Sequence, residues 1–108
     1  MKKVIEKKSY NTETATLVAE YWNGLASNDF RHLTEDLYLT EKGQWFLHGS
    51  GGAMTKYSES NGNSTWGSSD IILLTASEAY NWIERYQGDV KDANEIIEKY
   101  FGNEIEEG

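Results

Sequence analysis

Residues 33–48 read LTEDLYLTEKGQWFLH, and this stretch decides the fold because it predicts a β-hairpin. The tripeptide Glu41-Lys42-Gly43 lies between two apolar runs and fits a three-residue loop with glycine in the left-handed position of a G1 bulge. Such a loop pairs Thr40 with Gln44, so that paired residue numbers sum to 84. The turn chemistry therefore predicts the register of the whole hairpin.

That register divides the hairpin into two faces, because neighbouring residues of a strand point in opposite directions. One face is apolar and is predicted to join the core; its pairs are Leu39 with Trp45 and Leu37 with Leu47. The other face mixes aromatic and polar side chains; its pairs are Tyr38 with Phe46 and Asp36 with His48. We expect the mixed face to contact a partner or to be partly covered.

The C-terminal third predicts a strand followed by a helix. Residues 71–74 form an apolar run with the length of a buried strand. Thr75 and Glu78 then have the spacing of a capping box, in which each side chain satisfies a free backbone donor. Apolar residues at helical spacing predict a helix over 76–87, which Gly88 can end.

A second helix is predicted over 91–101 by the same reasoning. Asp92 resembles its N-cap, and Gly102 is the expected stop. Residues 103–108 are expected to be a frayed acidic tail.

The N-terminal third is less decisive. Residues 1–8 are basic and predict an edge strand or arm whose lysines discourage edge-to-edge pairing. Residues 12–22 fit both a helix and a strand; one helical turn followed by a strand through Trp22 is favoured. The patterns together predict one α+β domain over residues 1–108. It has a small, meander-like antiparallel sheet of four or five strands, with two C-terminal helices packed on one face.

Charge and composition restrict the possible functions. The chain carries −8 and residues 1–8 carry +3, so residues 9–108 carry −11. Such an acidic body repels nucleic acid directly and suits a basic protein surface. The chain has no cysteine, which excludes thiolate metal sites. No apolar run approaches the roughly 20 residues of a membrane span, and no signal peptide follows the basic N-terminus. A cytoplasmic location is expected.

A cluster of glycines over 49–52 raises the question of a phosphate-binding loop. A P-loop needs a glycine directly before its lysine and a serine or threonine directly after it. Lys56 is instead preceded by Thr55 and followed by Tyr57, so the motif is absent. We expect a sharp reversal after a strand, with glycines supplying positive φ.

Catalytic chemistry has one candidate pair, Asp36 and His48. The pair could act as a general base in a small hydrolase or ligand-binding domain that also uses the 49–52 loop. A cross-strand ion pair is the favoured interpretation, and no nucleophile, metal set or cofactor motif accompanies it. The expectation is therefore a protein that is not an enzyme and has no cofactor.

Partner binding has more candidates. The predicted helices carry a set of outward carboxylates that could imitate a row of phosphates, or form an ordinary solvated face; its members are Glu78, Glu84, Asp92, Glu95 and Glu98. Trp66, in a polar loop, could plug the fold or anchor a partner, and Tyr57 joins it as a candidate contact. Trp45 is expected in the core, whereas Trp82 lies just off the helix stripe and is expected to be half-exposed.

A resemblance adds to these patterns. Its segments are 10–15 (YNTETA), 37–38 (LY), 45–52 (WFLHGSGG), 54–57 (MTKY) and 71–75 (IILLT). Over residues 8–86 the chain resembles small accessory proteins carried by phages, plasmids and conjugative elements of Gram-positive bacteria. Some such proteins are anti-CRISPR proteins, which bind Cas nucleases and stop them engaging DNA. The resemblance implies an inhibitor of host defence, with Cas9 as a possible target.

The leading hypothesis is thus a non-catalytic, acidic inhibitor that binds a basic nucleic-acid-handling protein. A Cas nuclease is the suspected partner, and neither direct nucleic-acid binding nor membrane binding is expected. The alternatives are the hydrolase or ligand-binding domain, and a homo-oligomeric structural protein with Trp66 and Tyr57 at its interface. A monomer and a homodimer both remain open.

Overall fold

A computed structural model describes residues 1–102 of the chain. It has the predicted α+β architecture, with a four-stranded antiparallel sheet, two small two-stranded sheets and two late helices. The elements are β1 (Lys2–Ile5), β2 (Lys8–Asn11), β3 (Thr16–Trp22), β4 (Leu33–Leu39), β5 (Trp45–Gly51), β6 (Glu59–Ser60), β7 (Thr65–Trp66), β8 (Ser68–Leu74), α1 (Ala76–Arg85) and α2 (Ala93–Phe101). The strand order in the four-stranded sheet is β3-β4-β5-β8. The predicted tail over 103–108 lies outside the described residues. No helix in the described part of the chain is long and apolar enough to cross a membrane.

The central hairpin has the predicted register. Gly43 takes φ +87°, and the Thr40 amide donates to the Gln44 carbonyl at 2.9 Å. The pairs follow from this turn; they include Leu39 with Trp45, Leu37 with Leu47, Tyr38 with Phe46 and Asp36 with His48. The local turn chemistry therefore positions every side chain of β4 relative to β5.

Both helices pack on the face predicted to be apolar. Its buried core combines strand residues with helix residues; they are Ala19, Leu37, Trp45, Leu47, Ala79, Trp82, Ile83, Val90, Ala93, Ile97 and Phe101. Trp45 stacks on Phe101, with ring centroids 5.1 Å apart, and so joins the sheet to α2. The expectation that Trp45 lies in the core is confirmed.

The opposite face is covered over only part of its width. Tyr10 contacts Phe46 edge-to-face and, with Ile71, forms a second apolar cluster under the N-terminal residues. Lys3 joins this region to the sheet through an ion pair of 2.6 Å with Asp70. These N-terminal residues do not cover the part of the face formed by β3 and the start of β4. Trp22, on β3, is 57% exposed.

The N-terminal arm differs from the single edge strand that was predicted. β1 and β2 form a hairpin, and its two turn residues, Glu6 and Lys7, have φ of 50° and 69°. Neither residue is a glycine, so the turn leaves little signal in the sequence. Residues 12–22 were predicted to be either a helix or a strand, with one helical turn followed by a strand as the favoured alternative. The structure has this favoured arrangement, since a hydrogen-bonded turn at 11–15 precedes the strand β3.

The helix ends are only partly as predicted. Thr75 and Glu78 form the complete capping box at the start of α1. Asp92, however, has φ +58° and makes no side-chain cap hydrogen bond at the start of α2. The predicted stop at Gly88 is wrong, because α1 ends at Arg85 with Tyr86 as its C-cap. The predicted stop at Gly102 is confirmed, since α2 ends at Phe101 with Gly102 as its C-cap, although this glycine keeps a right-handed conformation.

The glycine cluster is not the predicted reversal. Gly49 and Gly51 lie within β5, and neither has positive φ. A Cβ at Gly49 would overlap the Tyr57 ring, and a Cβ at Gly52 would meet the Phe30 carbonyl oxygen at 2.6 Å. These glycines therefore allow other segments of the chain to approach the strand closely, and they do not form a turn.

Candidate functional site

An acidic groove runs along the outer edge of β3 and is the best candidate for a functional site. The strand lies between two walls, one on the uncovered face of the sheet and one formed by α2 and the segment before it. Charged side chains from both walls line the groove; they are Glu20, Asp36, Asp89, Lys91, Asp92, Glu95 and Lys99. Five carboxylates thus share the groove with two lysines. We call this set the acidic groove.

The sheet side of the acidic groove is formed by Glu20 and Asp36. The two residues are direct cross-strand partners between β3 and β4, so their side chains project from the same face. Burial, and then the charge of Glu20, raises the pKa of Asp36 from 3.8 to about 6. The fold therefore holds two carboxylates together at an electrostatic cost.

The two lysines of the groove, Lys91 before α2 and Lys99 on it, do not offset this charge through direct contact. Within residues 1–102, ion pairs join Lys3 to Asp70 and Lys56 to Glu35, and none involves a groove residue. The i,i+4 pairs of Glu95 with Lys91 and Lys99, which an ordinary solvated face would favour, are not formed. The groove is therefore a local excess of negative charge.

The outward carboxylates predicted for partner binding are divided by the fold. Glu78, Glu84, Asp92, Glu95 and Glu98 are all exposed on or beside the helices. Only Asp92 and Glu95 line the acidic groove; Glu78, Glu84 and Glu98 do not. Glu20, Asp36 and Asp89 complete the groove but were absent from the predicted binding set. Alternation along β3 could have identified Glu20, since that pattern places it on the same face as Trp22.

The two aromatic candidates have different positions. Trp66 lies in β7 and is 43% exposed, so its side chain is accessible at the surface. Tyr57 is only 5% exposed, and its hydroxyl donates to Glu35 at 2.5 Å. The prediction of Tyr57 as a surface contact is therefore wrong in this conformation, because its ring fills the space above Gly49.

Asp36 and His48 face each other across the hairpin as predicted. No hydrogen bond or ion pair joins them in the described part of the chain. Burial and the charge of the N-terminal amino group lower the pKa of His48, which favours its neutral form. The favoured interpretation of Asp36 and His48 as a cross-strand ion pair is thus wrong. The two side chains are not in contact as an ion pair, and the lowered pKa of His48 disfavours its cationic form.

A buried polar cluster around Glu35 was not predicted. Glu35 is 0% exposed and accepts hydrogen bonds from the Tyr57 hydroxyl and, at 3.1 Å, from the indole Nε1 of Trp82. Lys56 reaches the same carboxylate from the surface at 2.6 Å. Trp82 is consequently buried, against the expectation of half-exposure. The hairpin register does place Glu35 on the core face beside Leu37, which is the signal that could have revealed a buried carboxylate.

The Glu35 cluster is a structural element of the fold. Both carboxylate oxygens are engaged, and Glu35 is fully buried, so the carboxylate is not accessible from solvent. A fully paired buried charge holds neighbouring segments in one arrangement. Here Glu35 joins the 52–58 loop and α1 to β4. No group of acidic or histidine side chains within residues 1–102 is arranged to hold a metal ion.

Comparison with known proteins gives no family assignment. No protein-family model matches the chain, and neither the curated proteins nor the solved structures contain a match.

Proposed function

We propose that this protein is a non-catalytic inhibitor that binds a basic, nucleic-acid-handling protein through its acidic groove. The observation that carries the proposal is the uncompensated charge of the groove, where Glu20 and Asp36 are held side by side without a cationic partner in the described chain. The repulsion between the two carboxylates is relieved when lysine or arginine side chains approach them, so binding of a basic surface is favourable.

The arrangement suits a surface that normally holds phosphates. Carboxylates project from a strand on one side of the groove and from α2 and its preceding loop on the other. A cationic channel of a nucleic-acid enzyme presents lysines and arginines to a backbone of regularly spaced charges. Occupying such a channel blocks nucleic acid without any chemistry. The resemblance to mobile-element accessory proteins favours a Cas nuclease as the target.

The test is a Cas9 cleavage assay with purified components. The wild-type protein, added to guide-loaded Cas9 before the DNA, is expected to reduce cleavage in proportion to its concentration. The groove variant Glu20→Lys/Asp92→Lys reverses two exposed charges and is expected to lose inhibition at least ten-fold, since each reversed charge faces the basic surface. The matched control is Glu41→Lys/Glu59→Lys, which changes the net charge equally but outside the groove.

Two outcomes would contradict the proposal. Equal loss of inhibition in both double variants would show that net charge matters and the groove does not. Absence of binding to Cas9, and to other basic nucleases in the same assay, would remove the inhibitor assignment altogether.

A further inference from the structure

The outer edge of β3 has unused hydrogen-bonding groups. β3 pairs with β4 alone, and within residues 1–102 no other backbone or side chain bonds to the backbone of Thr16–Trp22. In an antiparallel pair, alternate residues direct their N–H and C=O groups away from the partner strand. β3 therefore presents a row of free donors and acceptors to the groove.

A bulge limits which part of this edge can pair. The register shifts between Leu17 and Ala19, and Val18 is the extra residue. A bulge interrupts regular pairing, so the regular portion is Ala19–Trp22. This short segment contains Glu20 and ends at the exposed Trp22.

We propose that an extended basic segment of the partner adds to β3 as a fifth strand of the sheet. The inference rests on the proposed function and specifies how the partner binds. Exposed edges are templates for such strand addition, in which main-chain hydrogen bonds supply affinity and alternate side chains supply specificity.

The two walls of the groove determine the composition of the added segment. Side chains on the sheet face would lie beside Glu20, with Asp36 one strand further, and therefore favour lysine or arginine. Side chains on the other face would meet α2, where Ile96 and Tyr100 lie beside Glu95. The best segment thus alternates basic residues with apolar ones.

A second copy of this chain is a poor occupant of the same edge. Pairing β3 with another β3 would bring two Glu20–Asp36 pairs together in one sheet face, and like charges on neighbouring strands are destabilising. Charge complementarity therefore favours a basic segment over self-association.

The experiment compares two synthetic peptides of the same charge. The first is Lys-Val-Lys-Val-Lys-Val-Lys-Val with blocked termini. The second has the same sequence with N-methylated backbone amides at every lysine and valine, which removes the donors from both edges of the strand and blocks pairing while keeping every charge. Affinities are measured by titration with the intact protein, and amide hydrogen exchange is followed residue by residue. We expect the first peptide to bind at least ten-fold more tightly and to slow exchange in Ala19–Trp22.

Other results would overturn the inference in distinguishable ways. Equal affinity of the two peptides would remove strand addition but leave the acidic groove as a charged surface. If neither peptide binds while the protein still inhibits Cas9, strand addition would be refuted and the proposed function would stand. A β3-to-β3 homodimer in sedimentation, in which the amides of Ala19–Trp22 that point away from β4 are protected in the free protein, would assign the edge to self-association instead.

Discussion

Replacing Asp36 with asparagine is expected to stabilise the folded protein at neutral pH. Asp36 is half-buried beside Glu20 and has no cationic partner among the described residues. Burial and the Glu20 charge raise its pKa from 3.8 to about 6, so folding disfavours the ionised carboxylate. An asparagine side chain occupies nearly the same volume without the charge, and Asp36→Asn should therefore relieve a cost that the wild-type fold retains.

The magnitude follows from the two pKa values. The difference between 3.8 and about 6 corresponds to roughly 3 kcal/mol in favour of the neutral acid at pH well above 6. Because Asp36 is only partly buried, screening by solvent reduces the effect, and we expect a gain of about 1 kcal/mol. Well below pH 3.8 the acid is protonated in both states and no cost exists. The cost grows as the pH rises from 3.8 to about 6 and stays constant above that range.

Urea unfolding at pH 4 and pH 7.5 measures this difference. The free energy of unfolding of Asp36→Asn should exceed that of the wild type by about 1 kcal/mol at pH 7.5 and by much less at pH 4. Glu41→Gln, which removes one charge from the exposed turn, is the matched control and should change little at either pH. An Asp36→Asn variant that is less stable at pH 7.5, or equally stabilised at both pH values, would refute the reasoning.

Three further predictions concern the fold and can be checked by urea or thermal unfolding. Glu35→Ala should cost about 3 kcal/mol or more, because it leaves a buried hydroxyl and a buried indole N–H without their acceptor; a loss below about 1 kcal/mol would show that the cluster relaxes freely. Gly49→Ala should cost about 2 kcal/mol by forcing the Tyr57 ring to move, whereas Gly88→Ala, with no neighbour within 4 Å, should be near neutral, and similar costs at both sites would contradict the close-approach account. Thr75→Ala should cost about 1 kcal/mol through loss of the capping box of α1, and an unchanged stability would argue against that box.

Features decided by short-range chemistry were predictable from the sequence. Gly43 in the turn sets the β4–β5 register, and the Thr75–Glu78 spacing sets the start of α1. The faces of the sheet follow from that register, because side chains alternate along a strand.

Features decided by contacts between distant segments were not predictable in the same way. The glycines of β5 look like a turn until the Tyr57 ring is placed above Gly49. Trp82 looks half-exposed on its helix until the acceptor Glu35 is placed opposite it, 47 residues away in the chain. The local sequence does not specify which distant residue a side chain contacts in the folded protein.

The candidate site was predicted in kind and only partly in detail. Its acidic character follows from composition, and Asp92 and Glu95 were among the expected contacts. The contributions of Glu20 and Asp36 depend on which strand occupies the edge of the sheet, because only an edge position leaves the pair beside an open groove. Edge positions come from the order of strands in space, which a sequence pattern does not specify.

The salt dependence of binding tests the central claim most directly. The affinity of the protein for guide-loaded Cas9 would be titrated between about 50 and 300 mM NaCl, with the wild type beside Glu20→Gln/Asp92→Asn. The acidic groove predicts that wild-type affinity falls steeply as salt rises, and that the variant binds more weakly with a shallower dependence. A complex whose affinity is insensitive to salt, or a variant whose salt dependence equals that of the wild type, would contradict recognition through this groove.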